Sequence, residues 1–256
     1  MSMVPENSVG HSSGDHIFDL KSPYQSNIDG EIKRIQMRPL HRKSLTFLLY
    51  SYWWFQTPGY RVLFRKKRLT VHLTRFFMYR RIQRVLSKLF LQGSVLSISG
   101  RGPIIDMLGP KMSPVVETSY PEIDIQALPY NDDSFDVVVS DQVLEHVVDP
   151  GKAFSESLRV ARPKGIVIHT TCFLNPIHFF PVDLWRYSPE ALKQLSGGNK
   201  IIEAGGWGNR SALLLMFMGT GHHLIPEDSG HPLHQIALHN DPRYPIVTWV
   251  ILRKEG

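Results

Sequence analysis

From residue 94 to the C-terminus, short β-branched runs alternate with helical stretches, and that alternation most constrains the fold. "SVLSI" (94–98), "PVVET" (114–118) and "FDVVVS" (135–140) read as strands, the last most clearly because it is β-branched. "DPGKAFSESLRVA" (149–161) reads as a helix and "GIVIHTT" (165–171) as the next strand. "SPEALKQL" (188–195) is helical, with Ser188 as N-cap and Glu190 in the first turn. "KIIEA" (200–204) and "PIVTWVILRK" (245–254) are the last strands. Such a series predicts an α/β fold with a mostly parallel sheet covered on both faces. The last two strands lack simple βαβ spacing, which predicts an antiparallel strand near the C-terminus.

The region before residue 91 has a different character. Residues 1–30 lack periodicity and read as a disordered tail. Residues 31–90 read as a basic, aromatic-rich helical extension, and 91–256 as the main domain. "SLTFLLYSYWWF" (44–55) is too short to span a bilayer, which needs about 20 apolar residues. It suits a membrane interface or a helix packed on the domain. Residues 65–90 read as one long amphipathic helix, with Arg75, Arg80, Arg81, Arg84 and Lys88 between its apolar positions. Residues 1–90 carry 16 Lys+Arg against 5 Asp+Glu, and 91–256 carry 13 against 18, so +6 overall is +11 beside −5. That split points to an anionic partner: a membrane surface or a phosphorylated carrier, reached through residues 31–90. No RNA-binding module is visible, which disfavours nucleic acid. The single cysteine, Cys172, and a polar N-terminus predict a reducing, cytoplasmic setting, peripheral at the inner membrane surface.

The stretch 121–171 is the informative one. It runs Asp124 to Pro129-Tyr130, then Ser134-Phe135-Asp136, Leu144-Glu145-His146-Val147, Arg159-Val160 and Lys164-Gly165. These motifs, in this order, resemble the class I S-adenosylmethionine-dependent methyltransferases. The resemblance covers roughly 93–204 and implies a Rossmann-like, seven-stranded sheet with one antiparallel strand. It also implies S-adenosyl-L-methionine as cofactor. His178 followed by Pro181-Val182-Asp183-Leu184-Trp185-Arg186-Tyr187 is similar to a branch of that family found among glycan-modifying enzymes. A small-molecule or glycan-like acceptor is the expectation from it.

By that resemblance Asp124 accepts from the adenine amino group, with the Ile125 backbone beside it, and Glu117 holds the ribose hydroxyls. The turn after 94–98, with Ser140 and Asp141, completes the expected cofactor set. The family's usual acid two residues before its glycine run is Ser97 here. Ser99, Arg101 and Pro103 stand where glycines are common, while Gly100 and Gly102 remain. Two glycines still permit positive φ and close backbone approach. Ile105 occupies the third-glycine position of a dinucleotide fingerprint, which disfavours a nicotinamide or flavin enzyme.

Methyl transfer to oxygen calls for a base of near-neutral pKa, and His178, just after the fifth strand, fits. Asp183 is expected to orient it, with Asp141 as the alternative catalytic group. Arg186, Tyr187, Trp207 and Arg210 are the candidate acceptor contacts. The five histidines between His222 and His239 lack metal-ligand spacing, so no metal is expected. The competing reading is a binding protein on the same fold that no longer holds cofactor, because Ser97, Ser99 and Pro103 degrade the first loop. A nucleic-acid methyltransferase is third.

Overall fold

The computed structural model describes residues 69–178, 181–218, 224–226 and 228–256. The readings of the 1–30 tail and the aromatic run at 44–55 lie outside the described residues. A compact unit spans Lys67–Gly256. Its strands are β1 (Leu69–His72), β2 (Gly93–Ile98), β3 (Met112–Thr118), β4 (Phe135–Asp141), β5 (Ala161–Cys172), β6 (Lys200–Trp207), β7 (Leu224–Pro226) and β8 (Val247–Arg253). The helices are α1 (Phe76–Leu86), α2 (Pro103–Met107), α3 (Pro150–Val160), α4 (Pro189–Leu195), α5 (Arg210–Phe217) and α6 (Pro232–Leu238). A 3₁₀ turn covers Leu144–His146. Asp149 caps α3 by accepting from the Lys152 N–H, and Ser188 caps α4 by accepting from Ala191. Each leaves a proline at the first helical turn, where the missing N–H costs nothing.

Six strands form the main sheet in the order β3-β2-β4-β5-β8-β6. β3, β2, β4 and β5 run parallel, and β8 is antiparallel to both β5 and β6. This is the Rossmann-like, mostly parallel sheet with a late antiparallel strand that the sequence predicts. Six of the expected seven strands occur among the described residues. The connection 119–134 forms turns, broken by Pro121 and Pro129. The chain leaves β2 for β3 on one side and returns to β4 on the other, so a switch-point crevice opens at the carboxyl ends of β2 and β4.

Successive strand residues feed opposite cores, as a period of two requires. Val95, Val139, Ile168 and Trp249 pack with Met78 and Ile82 of α1 and Ile104 of α2. Leu96, Val138, Val167 and Val250 pack with Phe154 of α3 and Leu192 of α4. The single helix expected over 65–90 is shorter: Leu69–His72 is a strand paired antiparallel with β7, and the helix begins at Phe76. Thr70 and Val71 are β-branched and suit an extended chain. α1 sits on the sheet rather than beside it, since Met78 and Ile82 are fully buried.

His169 lies within this core. It is wholly buried on β5, stacked at a tilt on Phe154, with Nδ1 2.9 Å from Ser140 Oγ. Its Nε2 has no hydrogen-bond partner. Burial alone pulls its pKa from 6.5 to about 3. The unfolded chain therefore binds a proton that the fold refuses. This stability is present above the unfolded value and is lost as pH falls from about 6.5 toward 3. Over that window His169 contributes a slope of about 1.4 kcal/mol per pH unit. Urea denaturation between pH 7 and pH 5 should show this slope (pH ~7 to ~5), and His169→Phe should flatten it.

Candidate active site

At the switch point the chain makes its tight turn. Ser97 is buried and spends its hydroxyl on the Gly100 carbonyl at 2.7 Å. Ser99 and Gly100 both adopt φ of 76°, the left-handed region that favours glycine. Their N–H groups donate to Thr118 O at 2.9 and 2.8 Å, which ties the turn to the end of β3. A cavity of about 600 Å³ opens beside it. Ser99, Gly100, Gly102, Asp141 and Gln142 line it, together with His72, Arg75 and Tyr79 from the segment before β2. A Cβ at Gly102 would stand 3.2 Å from Asp141 Oδ2, so a glycine here leaves room.

Asp141 is the cavity's fixed anion. Tyr79 donates to its Oδ2 at 2.8 Å and Thr170 Oγ1 to its Oδ1 at 2.5 Å. Burial first, then the Asp141 charge, drives the Tyr79 hydroxyl well above the usual phenol range, so it stays a donor. Gln142 follows with φ of 59°, unusual for a residue with a side chain, and its N–H donates to Thr170 O at 3.0 Å.

A second cluster hangs from the next β5 residue. Thr170 holds Asp141, and Thr171 holds Glu145 by donating to Oε2 at 2.7 Å. Adjacent strand residues face opposite sides, so the two acids flank one edge of the sheet. Glu145 is 1% exposed. The His178 Nε2 faces its Oε1 at 3.9 Å, and the His178 Nδ1 lies 3.1 Å from Asp183 Oδ2. Asp183 also accepts the His178 backbone N–H at 2.8 Å, and it is nearer to Nδ1 than the Asn175 amide at 3.4 Å. Hydrogen bonds from Arg186, with the His178 N–H, hold the Asp183 carboxyl down at about 2.

The loop after β5 is stapled to the 3₁₀ turn. Leu184 and Trp185 N–H groups both donate to Glu145 O. Trp185 Nε1 donates to Val147 O at 2.9 Å, and His146 Nδ1 contacts Val182 O at 2.5 Å. Arg186 completes the frame: its Nε donates to Asn175 O, and its two terminal nitrogens bond Asp183 and the Trp185 and Pro176 carbonyls. All five of its donors are used. Arg186→Leu would strand the Asp183 carboxylate, 1% exposed, and should cost about 3 kcal/mol. Proteolysis of the 173–187 loop should accelerate in that variant, which limited digestion measures.

The sequence-predicted residues divide accordingly. Ser99, Gly100, Gly102 and Asp141 meet at the cavity, and His178 meets Asp183 at the second cluster. Ser97 and Ser140 are used internally, the latter by His169. Glu117, 45% exposed, lies 3.9 Å from Arg101 at the end of β3. Asp124 accepts from the Gln126 N–H and amide in a local turn, and Ile125 is buried. Neither they nor Glu117 line the cavity. The four expected acceptor contacts all have partners within the fold. Arg186 is saturated by the loop, and buried Tyr187 donates to Leu144 O. Trp207 is fully buried and donates to His239 O, while Arg210 binds and stacks on Tyr244. "GGWGNR" is the end of β6 running through Gly208 and Asn209 into α5, packed so closely that a Cβ at Gly208 would sit 1.9 Å from Tyr244 O. Of the histidine-rich segment, His231 caps α6 and buried His234 contacts Pro226 O and Phe76. His222 and His223 lie outside the described residues.

Sequence reasoning missed Glu145, Arg75 and Tyr79. Glu145 stands inside a quoted motif, where an acid on a short turn before a helix already signalled it. Arg75 and Tyr79 sit in a segment that read as one long amphipathic helix outside the main domain.

Residues 92–169 match the methyltransferase domain family. An uncharacterized methyltransferase of Mycolicibacterium vanbaalenii is 44% identical over 62 residues, 24% of each chain. A probable S-adenosylmethionine-dependent methyltransferase of Mycolicibacterium smegmatis is 42% identical over 71 residues, 26% of this chain and 27% of that one. The chain thus spans about a quarter of the length of these curated relatives. Among solved structures, a [4+2]-cyclase, SpnF, overlays at 17% identity with a TM-score of 0.45, over 69% of this chain and 81% of that one.

Proposed function

We propose that the protein is an S-adenosylmethionine-dependent methyltransferase acting on an oxygen of a small-molecule or glycan-like acceptor. The cavity at the ends of β2 and β4 carries the reading, since Ser99, Gly100, Gly102, Pro103, Asp141 and Gln142 of its lining fall in the methyltransferase-matching segment. Its donor set fits the cofactor: an anion, Asp141, for the ammonium and sulfonium end, and a guanidinium, Arg75, for the carboxylate. Bare backbone at Gly100 and Gly102 admits close approach. Glu117 and Asp124 would serve ribose and adenine beyond the cavity wall. When bound, S-adenosylmethionine supplies an electrophilic methyl whose sulfur departs as a neutral thioether.

The chain's own groups then handle the acceptor. His178 directs Nδ1 at Asp183, which leaves Nε2 to receive the hydroxyl proton as the new carbon–oxygen bond forms. The stapled loop holds that imidazole in place. Asp141 already carries two hydrogen bonds, which makes it a weaker candidate for the base. Residues 31–90 would bring the chain to an anionic membrane surface or a phosphorylated carrier. Among the described residues no helix is long and apolar enough to cross a membrane.

Screening hydroxylated sugars and glycan intermediates for transfer of a labelled methyl tests the acceptor class. Label on amine or thiol acceptors, with none on hydroxyls, would overturn it. A second reading, a binding protein on this fold, draws on Ser97: its hydroxyl is committed to Gly100, so β2 offers no carboxylate at the turn.

A further inference from the structure

We infer that Glu145, His146 and His178 form a binding site for a divalent transition-metal cation. One ligand atom from each of the three lies within 4.8 Å of the others, close enough for a single ion to bridge them. The donor set is two imidazoles and one carboxylate, which suits zinc, manganese or iron(II) better than magnesium or calcium, whose preference is all-oxygen.

The surroundings of each ligand support the inference independently of their proximity. A metal-binding histidine usually gives its other ring nitrogen to a carboxylate or a backbone carbonyl. Both histidines do so here. His178 turns Nδ1 to Asp183 at 3.1 Å, and His146 turns Nδ1 to Val182 O at 2.5 Å. Each is left with a free Nε2. The two rings meet edge to face with centroids 4.9 Å apart, which holds both imidazoles beside Glu145. Glu145 has one oxygen on Thr171, and its other oxygen has no hydrogen-bond partner and looks toward the His178 Nε2 at 3.9 Å. Glu145 is 1% exposed and feels the charge of Arg186, but that guanidinium spends its hydrogen-bond donors on Asp183 and three carbonyls and none on Glu145. A cation between Glu145 and the two imidazoles satisfies all three at once.

Three protein ligands leave further coordination positions open, and His178 is partly exposed, with 41% of its side chain in reach of solvent. An acceptor oxygen bound there would be held and made more acidic. That role rests on the transferase reading, whereas the metal site does not. With the ion in place His178 would be a ligand through Nε2, and the hydroxyl acidified by the cation would lose its proton to solvent water, which reaches the exposed side of His178, rather than to the imidazole.

The test uses the full chain, free of any affinity tag and stripped with a chelator. Titration with cobalt(II), followed by its visible absorption, should show saturation at one ion per chain. Excess magnesium should not compete. Glu145→Gln keeps the size of the side chain and the bond to Thr171 but loses the charge, and His146→Ala removes one nitrogen. Each should weaken cobalt(II) binding at least about tenfold while thermal melting shows a folded protein. His239→Ala should leave it unchanged. No saturable cobalt(II) binding by the folded wild type, or equal binding in Glu145→Gln and His146→Ala, would overturn the site. Since the assay needs neither cofactor nor acceptor, failure of the transferase reading cannot be mistaken for failure of the metal site.

Discussion

His178→Ala is expected to lower turnover by about 10²–10⁴-fold while cofactor affinity stays within about twofold of wild type. The asymmetry follows from position. His178 belongs to the Glu145–Asp183 cluster and is absent from the cavity wall, which is formed by Ser99, Gly100, Gly102 and Asp141 with α1. Whether Nε2 takes the proton or holds a cation, its removal strikes the acceptor and spares the cofactor. Asp183→Asn should act in the same direction more weakly, because it alters the partner of Nδ1 and not Nε2 itself. Single-turnover kinetics with the acceptor found by screening, beside calorimetry with S-adenosylhomocysteine, measures both halves. Full turnover in folded His178→Ala would remove the cluster from the chemistry.

Gly102→Val is the second large effect. Its φ of −101° is one that any residue adopts, so the backbone does not resist the change. A Cβ there would already sit 3.2 Å from Asp141 Oδ2, and the added methyls would enter the cavity. Cofactor affinity should fall at least about tenfold, about 1.4 kcal/mol, with the melting temperature nearly unchanged. Gly100→Val makes a contrasting pair. It meets nothing within 4 Å, yet its φ of 76° strains any side chain, so it should lose stability as well as affinity. Differential scanning calorimetry separates the two, and a Gly102→Val protein that binds as tightly as wild type would displace the pocket from this turn.

The sheet was legible because its signal is local. β-branched runs such as Val137–Val139 and Val247–Arg253 declare strands, and the capping of α3 and α4 is written in Asp149 and Ser188. The contact between His178 and Asp183 was legible for the same reason, since the two stand five residues apart on one loop. The misreadings have a common physical origin in long-range pairing. Leu69–His72 became a strand because Leu224–Pro226 lies beside it, a partner no helical periodicity reveals. Tyr187 and Trp207 carry the chemistry of acceptor contacts, but each donates to a backbone carbonyl, 43 and 32 positions away. Glu145 shows the reverse. As a sequence symbol it is an ordinary acid on a turn, and only Thr171 and His178, 26 and 33 positions away, make it a buried, half-bonded carboxylate.

The turn at Ser97–Pro103 is expected to bind cofactor despite its lost acid. Calorimetric titration of the wild-type chain with S-adenosylhomocysteine tests it most directly. Saturable binding at a single site, weakened about tenfold or more in Gly102→Val, is the expected result. Absence of binding by folded wild-type protein, or binding indifferent to Gly102→Val, would contradict it.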